Sequence, residues 1–139
     1  MPEPGEEGPR RPRGVRVLVM DDEDSVRTVV CRMLERIGYD AEGASDGREA
    51  VEIYARARQD GRPFAAVILD MTVPGGLGGA ATLTALKALD PEVRAVASSG
   101  YDSETVREGS QAQGFVAVLV KPYTVAELVA AMAGVAGPP

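Results

Sequence analysis

Residues 65–70 read AAVILD. Five apolar residues run without a polar break and stop on an aspartate. A strand with one wet face alternates apolar and polar residues, whereas a strand covered on both faces does not. A strand is therefore expected at 65–69, buried on both sides, with Asp70 at its C-terminal tip. The pattern recurs at 17–20 within a strand expected at 15–20, VRVLVM, which runs into Asp21, Asp22 and Glu23, and at 116–120 within FVAVLV, which runs into Lys121. Strands of this kind belong to a parallel sheet with helices on both faces.

The segments between them supply the helices. Val26, Val29, Val30, Met33, Leu34 and Ile37 mark one helical face, which Gly38 ends. A weak strand at 39–43 precedes a helix from Ser45 or Asp46 to Ala57, opened by Asp46 and Glu49 in a capping-box pattern. A glycine-rich loop, 72–79, leads to a third helix carrying Leu83, Leu86 and Leu89. A fourth strand spans 93–98, and a polar, weakly anchored helix spans 103–113. The last helix starts at Thr124, has Glu127 as its capping-box partner, and buries Leu128, Met132 and Val135. Five βα units with right-handed crossovers give a doubly wound, three-layer α/β sandwich. Residues 1–14, rich in Pro, Gly, Glu and Arg, read as a disordered leader or linker. The domain is placed at 15–136, and 137–139 reads as a flexible tail.

Composition removes several classes of function. The net charge is −6, and with only two lysines the chain lacks the basic patch that direct nucleic-acid binding needs. No stretch approaches the roughly 18 apolar residues of a membrane span, and no apolar run behind Met1 suggests secretion. The single cysteine, Cys31, excludes an internal disulfide and suits a reducing, cytoplasmic setting; it reads as packing. There is no histidine, so histidine general bases, catalytic triads and histidine-zinc sites are excluded.

The informative residues stand at the strand ends. Asp21, Asp22 and Glu23 follow the first strand, Asp70 the third, Ser98 and Ser99 the fourth, and Lys121 the fifth. A parallel sheet brings these tips to one edge, where such folds bind ligands. Converging carboxylates repel unless a hard divalent cation with oxygen ligands sits between them; Mg²⁺ fits, with Mn²⁺ the alternative. Such an ion neutralises charge on a transferring phosphoryl group. A carboxylate can then attack as nucleophile and form an acyl phosphate. Lys121 can reach a phosphate oxygen, and Ser99 can donate to another.

RVLVMDDE, VILDMTVP, SSGY and VKPY, in this order and spacing, resemble the response-regulator receiver family from Val15 to Val135. The resemblance implies a flavodoxin-like (βα)5 fold with sheet order 2-1-3-4-5. It implies that Asp70 is the phosphoacceptor, that Asp21, Asp22, Asp70 and the backbone carbonyl of Thr72 hold the metal, and that Ser99 and Lys121 contact the phosphoryl group. It also implies a cis Lys121–Pro122 bond. The partner would be a histidine kinase or a histidine phosphotransfer domain, in a two-component phosphorelay. Two departures stand out. Val118 occupies the place, three before the lysine, where many members carry an aromatic switch residue. The glycine-rich loop VPGGLGG most resembles receivers fused to hybrid histidine kinases. A homodimer is left open, as is whether the chain stands alone or belongs to a larger protein.

The bland alternatives are weaker. Acids at a helix N-terminus are favoured by the helix dipole, but not together with Asp70 and Lys121. Ser98 reads as a turn residue. The glycines at 75–79 lack the Gly-Lys-Ser/Thr of a phosphate-binding loop and read as flexible. An aspartyl-phosphate phosphatase would place a second aspartate at 72, where this chain has threonine. A receiver-like module that takes no phosphate would be expected to lack Asp70 or Lys121. The chain is thus expected to be a phosphoacceptor switch, catalysing only its own phosphorylation and dephosphorylation. Its output face is expected at the fourth helix, fifth strand and fifth helix. Lys121→Ala is expected to leave the fold intact, because the lysine's partner is taken to be the phosphoryl group.

Overall fold

The computed structural model describes residues 14–71, 78–100 and 104–139, with the backbone alone for 104–106. The leader up to residue 13 and Thr72 lie outside the described residues. In chain order the elements are β1 (Arg16–Met20), α1 (Asp24–Arg36), β2 (Asp40–Ala44), α2 (Gly47–Gln59), β3 (Ala66–Asp70), α3 (Gly79–Leu89), β4 (Ala95–Ser99), α4 (Glu104–Gln113), β5 (Ala117–Val120) and α5 (Val125–Val135). All described strand pairs are parallel, in the order β2-β1-β3-β4-β5. The polar sequence of β2, DAEGA, suits its place at an edge.

Two core layers explain the continuous apolar runs of β1 and β3; the run at 115–120 belongs to the edge strand β5 and is only partly covered, with Val116 48% exposed. Val17, Val19 and Ile68 point to one side, where they join Leu34 of α1 and Leu128 and Met132 of α5. Leu18, Met20, Val67 and Leu69 point to the other, toward Tyr54 of α2 and Leu83 and Leu86 of α3. Each central strand therefore buries both its odd and its even residues.

Several boundaries differ from the sequence reading, and backbone hydrogen bonds explain why. β3 and β4 each run one residue further than expected, so Asp70 and Ser99 are strand residues. Asp70 is in register with Ser98, and the Met71 N–H extends the ladder by donating to the Ser98 carbonyl at 3.0 Å. A change from apolar to polar side chains does not stop a ladder. In α1 only Val30 and Leu34 are fully buried, and Val29 is 54% exposed because the apolar stripe is wider than the surface covering it. Leu89 of α3 is likewise exposed. The α2 cap is Asp46 as expected, accepting from the Glu49 N–H at 2.8 Å, but the returning arm is displaced by one residue: the Glu49 carboxylate accepts from the Ser45 N–H. The α5 capping box between Thr124 and Glu127 is complete.

Gly38 ends α1 with φ 108°, in the left-handed region that glycine alone adopts without strain. Residues 137–139, expected as a tail, lie against this turn: the Tyr39 hydroxyl donates to the Gly137 carbonyl at 2.6 Å, and Pro139 sits over Gly38. Of the described side chains of α4, Ser110 alone is buried. No helix among the described residues is long and apolar enough to cross a membrane.

Candidate metal centre

β1 and β3 are adjacent and parallel, so the residues that leave β1 meet the end of β3. One carboxylate oxygen each from Asp21, Asp22 and Asp70 lies within 4.8 Å of the others. Asp21 and Asp70 are buried and Asp22 is exposed. Lys121 joins them from the end of β5: its Nζ stands 2.9 Å from Asp21 Oδ2 and 3.3 Å from Asp70 Oδ1. β4 lies between, and there it places only Ser98 in register with Asp70.

Asp21 is the most firmly held of the three. Its Oδ1 accepts from the Glu23 N–H at 2.9 Å, and its own N–H donates to Ala44 of β2 at 3.0 Å. Arg27, one turn into α1, donates from Nη1 to the Asp21 carbonyl at 2.7 Å and pairs with Asp24. The arginine stem packs over Gly43, where no side chain blocks it. This clamp was not visible in the sequence, since an arginine on a polar helix face is ordinary.

Burial alone would lower the Lys121 pKa by disfavouring its charge. Hydrogen bonding and attraction to Asp21, and then to Asp70, outweigh that and raise it above the ordinary value. Ser99 is buried at the tip of β4, and its carbonyl accepts from the Lys121 N–H at 2.7 Å. The Lys121–Pro122 bond is cis, as the resemblance implied. Two further residues belong to the surroundings. The Ser98 hydroxyl is buried and makes no well-aligned hydrogen bond among the described residues. Burial pushes the Tyr123 phenol up to about 12; the nearby Ser98 hydroxyl and the charge of Lys121 oppose the rise. Ser98, read from the sequence as a turn residue, is thus a buried strand residue beside the site. The thiol of Cys31 is also raised, first by burial and then by Glu35, which suits packing rather than reactivity.

The donor set fits a hard divalent cation. Three carboxylates against one ammonium leave a formal charge of −2 at one point. One divalent ion balances that charge. The ligand atoms are all oxygen, as magnesium prefers, and their spread is close to the roughly 4 Å across an ion held at about 2.1 Å. Asp22, facing water, leaves room for the aqueous ligands such an ion keeps.

Comparison with known proteins agrees with this geometry. The family model described as "Response regulator receiver domain" matches residues 17–133. The transcriptional regulatory protein PrrA of Mycobacterium leprae is 36% identical over 115 residues, which make up 83% of this chain and 47% of that protein. The chain thus spans about half the length of such relatives. The sporulation initiation phosphotransferase F of Bacillus subtilis is 26% identical over 113 residues, 81% of this chain and 86% of that one. Among solved structures, the chemotaxis protein CheY4 of Vibrio cholerae superposes with a TM-score of 0.77 at 27% identity, covering 88% of this chain and 98% of that one. The receiver domain of the sensor histidine kinase PA1611 from Pseudomonas aeruginosa, which has a magnesium ion coordinated in its active-site cleft, gives 0.76 at 26%, covering 89% and 98%.

Proposed function

The chain belongs to the response regulator receiver domain family, and on that premise we propose that Asp70 is its phosphoacceptor, served by Mg²⁺ on Asp21, Asp22 and Asp70 and by Lys121. The single observation that carries this reading is the pairing of two buried carboxylates with one lysine beside a third, exposed carboxylate. Magnesium bound there would neutralise charge on the transferring phosphoryl group. Asp70 attacks phosphorus through a carboxylate oxygen; the new O–P bond replaces the P–N bond of a phosphohistidine donor, whose imidazole leaves. Lys121 exchanges its contact with Asp70 for a phosphoryl oxygen while keeping Asp21. Ser99, next to the site on β4, donates to another oxygen. In this reading the chain catalyses only its own phosphorylation and dephosphorylation, in the cytoplasm.

The donor would be a histidine kinase or a phosphotransfer domain. A groove of about 270 Å³ beside Lys121, lined by Val26, Val29, Met33, Pro122 and Tyr123, supports docking of an apolar helix face next to the phosphoacceptor. Its exposed Val29 accounts for the apolar position on α1 that the core leaves uncovered.

The test uses acetyl phosphate and Mg²⁺. One phosphoryl group per chain is expected by mass spectrometry, abolished by chelator and by Asp70→Asn. Rapid hydrolysis without accumulated label would favour a phosphatase, and an unlabelled chain would leave only an interaction module.

Phosphorylation adds a charge of about −1.5 to −2 at the sheet edge. Ser99 and Lys121 move toward it and pull on β4 and β5. A groove of about 500 Å³ separates α4 from α5 over β5, with Val118 in its wall where an aromatic switch residue would stand. With no ring to reorient there, the readout is a movement of α4, whose described side chains are nearly all exposed. Hydrogen exchange with and without beryllofluoride is expected to change most in α4, β5 and α5. Changes confined to α1 would overturn this assignment of the output face.

A further inference from the structure

The glycines before α3 read from sequence as loop flexibility, yet Gly79 is the first residue of the helix and is fully buried. Its backbone is not in the left-handed region, so conformation does not require glycine there. Space does. A Cβ at Gly79 would stand 2.9 Å from the carbonyl oxygen of Asp70, 3.3 Å from Met71 Cα and 2.6 Å from Met71 Sδ. The thioether is the end of a flexible side chain and can swing away. The Asp70 carbonyl cannot, because Asp70 is paired with Ser98 of β4, the preceding Leu69 is in register with Met20 of β1, and the next amide, Met71 N–H, is bonded to Ser98. At the neighbouring Gly78 a Cβ would meet, among the described residues, only Met71 O, at an ordinary 3.8 Å.

From this contact we infer that Gly79 is a positioning residue for the phosphoacceptor, an inference that rests on the reading of Asp70 given above. The N-terminus of α3 bears directly on the Asp70–Met71 peptide and fixes where β3 ends. The carboxylate of Asp70 hangs from that same residue. Its partners Asp21, Asp22 and Lys121 hang from β1 and β5, which Gly79 does not touch in this way. Pushing the Asp70 backbone by a few tenths of an ångström therefore moves one member of the constellation relative to the rest. Reacting groups tolerate displacements of only about 0.5 Å, and a shift of about 1 Å can cost 100-fold in rate. A side chain at position 79 is thus expected to impair metal binding and phosphorylation without touching either the metal or the phosphoryl group.

The experiment compares Gly79→Ala with Gly78→Ala and with Leu86→Ala, which destabilises the same helix from its buried face about two turns beyond Gly79. Each is made in the native chain and in a Met71→Ala background. Mg²⁺ affinity is read by NMR titration and the phosphorylation rate with acetyl phosphate at saturating Mg²⁺, at a temperature where thermal melts show every variant folded. Gly79→Ala is expected to weaken Mg²⁺ several-fold and to slow phosphorylation about 10-fold, with or without Met71. Gly78→Ala and Leu86→Ala should stay within about twofold, although Leu86→Ala melts earlier. If Gly79→Ala folds only in the Met71→Ala background, the comparison is made there against Met71→Ala alone. Native affinity and rate in Gly79→Ala, or their full recovery on removing Met71, would overturn the inference. Failure of the unsubstituted chain to take label would instead overturn the phosphoacceptor reading.

Discussion

Replacing Lys121 with alanine is expected to lower the stability of the metal-free protein by about 3 kcal/mol. The ammonium serves two carboxylates whose side chains are only 4% and 3% exposed, Asp21 and Asp70. Removing one member of a buried ion pair costs about 3–5 kcal/mol, because the charge left behind stays desolvated and unpaired. Lys121 is itself 23% exposed, so water reaches the site and the lower figure applies. Urea unfolding in chelator measures the change. Two companion results distinguish this cause from general damage. Mg²⁺ should stabilise Lys121→Ala more than the native chain, since a divalent ion takes over the lost neutralisation. Asp70→Asn in the alanine background should recover part of the loss, since one buried charge disappears. An unchanged midpoint for Lys121→Ala would show that the acids are neutralised by something else. The pH dependence has a fixed sign. A lysine pKa raised by folding contributes stability that is complete below its unfolded value, near 10.5, and is lost as pH climbs through the folded value.

This expectation revises the sequence reading, which gave Lys121 only the phosphoryl group as partner and so expected an undisturbed fold. The spacing of RVLVMDDE, VILD and VKPY showed which residues share an edge. It could not show that the lysine reaches past β4 and β3 to Asp21, because that distance depends on where each strand ends and how the side chains at the tips pack. The architecture itself was legible, since burial on both faces leaves continuous apolar runs and the helices carry their caps and apolar faces. What the sequence hid was contact between elements. Arg27, which belongs to no motif, clamps the Asp21 carbonyl. Gly79 looked like loop freedom and is a close approach of helix to strand. Tyr123, the last residue of VKPY, was given no role and stands desolvated beside the site. Side-chain type announces burial and charge, but whether a small residue marks a turn or a contact depends on a neighbour far away in the chain.

Asp22→Asn is expected to weaken Mg²⁺ binding at least about tenfold, equivalent to about 1.4 kcal/mol, while leaving the metal-free fold nearly as stable as before. The two acids after β1 are chemically alike and differently placed. Asp21 is buried, pairs with Lys121, accepts the Glu23 amide and is fixed at its backbone by Arg27 and Ala44. Asp22 is exposed and lies within ligand distance of both other carboxylates. Neutralising Asp22 therefore removes a metal ligand and slightly relieves like-charge repulsion, an effect that solvent keeps small at an exposed position. Neutralising Asp21 removes a ligand and also strands Lys121, so Asp21→Asn should lose metal affinity and metal-free stability together. Mg²⁺ titration by NMR at fixed ionic strength gives the affinities, and thermal melts in chelator give the stabilities. Equal Mg²⁺ affinity in Asp22→Asn and the native chain would remove Asp22 from the ligand set. A large fall in its chelator melt would mean that the exposed carboxylate holds the β1–α1 junction together, a role the structure assigns to Asp21.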